Sequence, residues 1–68
     1  MTYITRQKTY GKFHVMMDIC IERANAIRVG LYEYGGLLRE NYFCGSDTGM
    51  KQAMKCYYSY CTKARNES

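Results

Sequence analysis

From Lys12 to Glu22 the chain alternates without a break. Phe13, Val15, Met17, Ile19 and Ile21 fall on one side, and Lys12, His14, Met16, Asp18, Cys20 and Glu22 on the other. Side chains of a strand point to its two faces in turn, so this run predicts a β-strand over 12–22 with one buried face. From Met50 to Ala64 the apolar positions recur instead at three- and four-residue steps, which is a helix period. The two patterns predict an α+β fold: one domain, 1–68, with an antiparallel sheet of three to four strands and a C-terminal helix packed on one face.

The rest of the pattern fills in around these two elements. Residues 2–10 are rich in β-formers and end at Gly11, which predicts an edge strand whose Arg6 and Lys8 discourage strand addition. A second long strand over 26–34 puts Ile27, Val29 and Leu31 on one face. A three-residue loop, Arg23-Ala24-Asn25, would pair Ile21 with Ile27, Ile19 with Val29 and Met17 with Leu31, and Asn25 suits the left-handed conformation at the end of such a loop. Gly35-Gly36 signals a turn into a strand over 37–44. A loop running through Leu37 would pair Glu33 with Arg39 and Val29 with Phe43. Ser46 or Asp47 is the expected N-cap of a helix over 48–64. That helix buries Met50, Ala53, Met54, Tyr57, Cys61 and Ala64, while Lys51, Gln52, Lys55, Ser59, Thr62 and Lys63 face outward. Gly49 in its first turn should cost about 1 kcal/mol against alanine, and residues 66–68 should fray.

Length and cysteine content bear on what stabilises such a fold. Chains of this size bury only about 60% of their unfolded surface, so the core is thin and a disulfide, a metal or a partner chain often adds to it. Residues 1–12 are polar and basic where a signal peptide would be apolar, and no apolar run approaches membrane length. A cytoplasmic location follows as the expectation, with Cys20, Cys44, Cys56 and Cys61 reduced and mostly buried as small hydrophobes. No Cys-x-x-Cys pair occurs, and Cys56 and Cys61 would be about 140° apart on a helix. We expect no metal and no cofactor.

The helix covers one face of the sheet, which leaves the other to water or a partner. That face gathers His14, Met16 and Cys20 from the first long strand, Arg28, Tyr32 and Tyr34 from the second, and Leu38, Glu40 and Tyr42 from the third. Three tyrosines, a methionine and a leucine make an amphipathic surface, and tyrosine is enriched in interaction sites. Cross-strand packing is the competing explanation of those tyrosines. The candidate partner-binding residues are Tyr32, Tyr34, Tyr42, Met16 and Arg28, with Lys51 and Lys55 on the helix as second choice. Self-association through the same face would cover the tyrosines and thicken the core.

Charge and candidate chemistry narrow the reading further. The net charge is +4, which favours acidic partners without singling out nucleic acid. As an alternative function, Tyr32, Tyr34 and Tyr42 with Arg28, Lys12 and Arg39 would stack bases and hold phosphates, though Glu33, Glu40, Asp18 and Glu22 lie among them. Catalysis is not expected. His14 is the sole histidine, Cys20 lies six residues along the strand from it (about 20 Å), and Asp18 and Glu22 are about 13 Å apart.

In size and layout, across its whole length and without a shared motif, this chain resembles the small anti-CRISPR and host-takeover inhibitors of phages and mobile elements. The resemblance implies a non-enzymatic inhibitor that blocks a larger intracellular protein or ribonucleoprotein sterically, with no turnover.

Overall fold

A computed structural model describes all 68 residues. Four antiparallel strands, β1 (Thr2–Tyr10), β2 (Phe13–Cys20), β3 (Ala26–Glu33) and β4 (Gly36–Phe43), form a meander in the spatial order β1-β2-β3-β4. One helix, α1 (Asp47–Glu67), follows. The alternating run of β2 explains the layering. Phe13, Val15 and Met17 turn to one face and are joined there by Ile27, Val29 and Leu31 of β3, all buried. The helix lays Ala53, Tyr57, Cys61 and Ala64 on them. Alanines at 53 and 64 let the helix approach the two central strands closely, and the Tyr57 ring fills the space between. Each large aliphatic side chain buried this way contributes about 1.5–3 kcal/mol. The outer strands are almost wholly exposed; only Tyr10 on β1 and Phe43 on β4 reach the core margin.

The expected faces are present, but the registers are shifted. β2 ends at Cys20, and Ile21–Arg23 form a short 3₁₀ turn, so Ile21 leaves the core and is 48% exposed. The connection therefore has five residues and closes through Ala24 and Asn25, both left-handed (φ +55° and +60°). Ile19 pairs with Ile27, Met17 with Val29 and Val15 with Leu31, two residues from the expected register. A shift of two keeps every side chain on its face, because the strand period is two.

The β3–β4 connection is corrected in the same way. The turn is Tyr34-Gly35, with φ of +51° and +83°, and β4 begins at Gly36. Leu31 lies opposite Arg39, Val29 opposite Asn41 and Ile27 opposite Phe43, replacing the expected Glu33–Arg39 and Val29–Phe43 pairs. An irregularity after Leu31 sets Tyr32 against Leu37 and leaves Leu38 unpaired. A turn with both central residues at positive φ matches the twist of a hairpin, which explains why two residues suffice.

The helix starts as its caps dictate. Ser46 accepts the Gly49 N–H at 3.1 Å, satisfying one of the four free donors of the first turn. It continues past 64 to Glu67, so 66 and 67 are helical; Lys63 and Glu67 pair at 3.6 Å across that last turn. Gly49 is there for space. A β-carbon on it would overlap the Cys44 carbonyl, against which the first turn sits.

Candidate functional site

The face away from the helix is built from rows that cross all four strands. In one row Ile4, Asp18, Arg28 and Tyr42 lie side by side; in another, Thr9, His14, Tyr32 and Leu37. Asp18 points to this open face yet is 4% exposed. Arg28 holds it: Nε donates to one carboxylate oxygen at 3.1 Å and Nη2 to the other at 2.7 Å. Two charge-assisted hydrogen bonds satisfy both carboxylate oxygens and so offset the cost of taking the group out of water. The bond to Asp18 raises the Arg28 pKa further above its ordinary value. Beside the pair, Ile4 and Tyr42 are each about half exposed, as is Leu37 in the other row, and a shallow cleft of about 300 Å³ runs between Thr2, Cys20, Arg28 and Tyr42.

Tyr32 is a tile of this surface. The position before it on the same face is Gly30, and the Tyr32 ring folds back over it. A β-carbon on Gly30 would lie 2.9 Å from Tyr32 Cε2. The ring therefore lies along the sheet, half-buried, and flattens the face between Met16 and Glu40. His14 stands beside it with ring centroids 6.4 Å apart. Its Nδ1 is 2.8 Å from the Thr9 hydroxyl and its Nε2 is 3.1 Å from the Gln7 amide oxygen. The amide oxygen accepts only, so Nε2 carries the proton and Nδ1 accepts from Thr9 in the neutral ring. Both nitrogens are thus tied to the edge strand, partners that a reading confined to β2 and β3 did not supply.

Not every expected residue reaches this face. Tyr34 is at the tip of the β3–β4 turn, 83% exposed, its N–H donating to the Lys12 carbonyl at 3.0 Å and the Lys12 ammonium 6.0 Å from its ring. The bulge sends Leu38 to the helix side, where it lines a cleft with Arg39, and brings Leu37 forward in its place. Lys51 and Lys55 are exposed on the helix, across the sheet from Tyr42. Lys12 and Arg39 do not join Arg28 either. Lys12 pairs with Glu33 at 3.0 Å, and Arg39 lies opposite Leu31 on the helix side. Met16, Arg28, Tyr32 and Tyr42 do come together. Ile4 and Leu37 belong with them and were missed; the alternation of Ile4 with Tyr3 in β1 was the available signal for the first.

The reactive groups are scattered. No three of the histidine, cysteine, aspartate and glutamate side chains converge as a metal site would require. All four cysteines are free thiols, with only Cys61 fully buried, Cys20 and Cys56 half-buried and Cys44 exposed. Cys61 sits between Tyr10 and Tyr57, and burial pushes the Tyr57 hydroxyl up to about 12, with the Cys61 thiol adding to it. Cys56 and Tyr60 share the Asn41 amide, which donates to the Tyr60 oxygen at 2.6 Å. No helix is long and apolar enough to cross a membrane.

Comparison with protein families, curated proteins and solved structures finds no match. The open face therefore has to be read from its own chemistry. It is flat and amphipathic, and Arg28 is the only cation among its strand residues.

Proposed function

We propose that this protein acts by binding alone, docking the open face of its sheet on a larger protein or ribonucleoprotein and blocking it sterically. The observation that supports this best is the row Ile4, Asp18, Arg28, Tyr42. Half-exposed apolar and aromatic groups flank a charge pair that is already neutralised, which suits a surface meant to be dehydrated by a protein partner. The resemblance in size and layout to small phage inhibitors points the same way. A nucleic acid is a poor match to this particular face, because its one arginine is committed to Asp18 and Glu40 adds a negative charge.

The test is affinity capture from the source cell's lysate with nuclease present, using the wild type and the Leu37→Ser and Tyr42→Ala variants. One partner held by the wild type and lost by both variants supports the reading. A partner held equally by all three, or lost on nuclease treatment, removes it. Light scattering on the purified chain at high concentration distinguishes self-association from capture of a different protein.

A further inference from the structure

The positive charge of the chain is segregated. Residues 1–17 contain Arg6, Lys8 and Lys12 and no carboxylate, and residues 48–66 contain Lys51, Lys55, Lys63 and Arg65 and no carboxylate. The fold brings these two stretches together, because β1 is the strand at one flank of the helix. On β1, Arg6, Lys8 and Tyr10 lie opposite the buried Met17, Val15 and Phe13, and so stand on the helix side of the sheet. On α1, Lys51, Tyr58 and Arg65 recur every seven residues, two turns apart, and so form one line along the helix. Cys61 lies next to that line and touches Tyr10, which fixes which side of the helix faces β1.

We propose that this β1–α1 flank is a binding strip for single-stranded nucleic acid, with Arg6, Lys8, Lys51 and Arg65 holding phosphates and Tyr58 and Tyr10 stacking on bases. All four cations are exposed. None takes part in the ion pairs of the chain, which join Lys12 to Glu33, Arg28 to Asp18, Lys63 to Glu67 and the N-terminal amine to Glu22. Tyr58 is 52% exposed and is held edge-on by Tyr57, with centroids 5.7 Å apart. The fields of the guanidiniums reach the rings: Arg6 favours the ionised form of Tyr57, and Arg65 that of Tyr10. Within β1 and α1, carboxylates occur only at the helix termini, at Asp47 and at Glu67, which Lys63 already engages. Free cations interleaved with an exposed ring, Tyr58, and a half-buried one, Tyr10, are what a flexible polyanion carrying π-faces needs. An acidic peptide would use the cations alone. This strip is on the other side of the sheet from the proposed protein-binding face and stands or falls separately from it.

Fluorescence anisotropy with labelled oligo-dT and oligo-U, titrated between 50 and 200 mM salt, tests it. Four phosphate contacts predict a log–log salt slope of about −3, a loss of roughly fifty-fold over that range. Arg6→Gln or Lys8→Gln should each flatten the slope by about 0.7. Tyr58→Ala should weaken binding tenfold or more, while Tyr42→Ala leaves it unchanged. Saturable binding of either oligonucleotide supports the proposal. No saturable binding at 50 mM salt, equal binding of poly-glutamate or of duplex DNA, or indifference to Tyr58→Ala overturns it.

Discussion

Asp18 and Arg28 form a two-pronged ion pair on the face of the sheet that the helix leaves bare, and the carboxylate is the more deeply buried of the two. That asymmetry makes the two residues unequal in mutagenesis. Arg28→Met strands a buried carboxylate and should cost about 3 kcal/mol. Asp18→Asn should cost less, since the Arg28 guanidinium can turn to water. The double change Asp18→Leu with Arg28→Met should recover most of the loss. Urea denaturation of the three variants checks this; equal losses from both single changes would mean that the pair is not desolvated.

Tyr34 occupies a left-handed conformation that favours asparagine or glycine. Tyr34→Asn should therefore stabilise the fold by about 1 kcal/mol, seen as a rise in Tm of about 4–8 °C. A fall in Tm would show that the contact of Lys12 with the ring outweighs the backbone strain.

Gly49 sets two physical effects against each other. Helix propensity says that Gly49→Ala gains about 1 kcal/mol. The overlap of a β-carbon with the Cys44 carbonyl says that the first turn must shift, at about 1–3 kcal/mol. We expect net destabilisation, with chemical-shift changes at Cys44 and Gly45. A gain in stability would mean that the junction between β4 and α1 yields freely.

Alkaline pH should loosen the core through Tyr57. Its hydroxyl ionises near 10 when solvated and at about 12 in the fold, so the native state binds the proton more tightly. That contribution is complete below pH 10 and fades as pH rises towards 12, amounting to about 2–3 kcal/mol. Tyr10 and Tyr60 shift in the same direction. Tyr57→Phe should flatten, without abolishing, the fall in urea midpoint between pH 9 and 11.5.

The sheet faces were readable from alternation alone, because a strand's period of two survives any even error in register. The loops were readable only in part: Asn25 is left-handed, as its residue type suits, but the lengths of the connections were hidden for a local reason. Ala24 and Tyr34 both adopt positive φ, which their side chains disfavour, so no turn signal marks them; Gly35-Gly36 drew the expected turn one residue too far along. The bulge at Leu38 then changed which leucine meets Tyr32, a choice made by the tight turn and invisible in composition. At the helix N-terminus the cap was legible, whereas the reason for Gly49 was not, since it depends on where the Cys44 carbonyl ends up. The separation of acidic from basic residues was present in the bare sequence. It became meaningful only when β1 proved to flank α1.

Every strand in this meander pairs with its neighbour in the chain, across connections of two, five and two residues. Such local pairing implies rapid assembly, hairpin by hairpin, with little loop-closure entropy to overcome. The helix is the exception. Until Ala53, Tyr57 and Ala64 have been synthesised and have docked, Val15, Met17, Ile27 and Val29 face water on a finished sheet. The interval between completing β4 and seating α1 is therefore when a nascent chain is most exposed to aggregation. Arg6 and Lys8 on the outer strand guard the sheet during that wait by repelling a second copy.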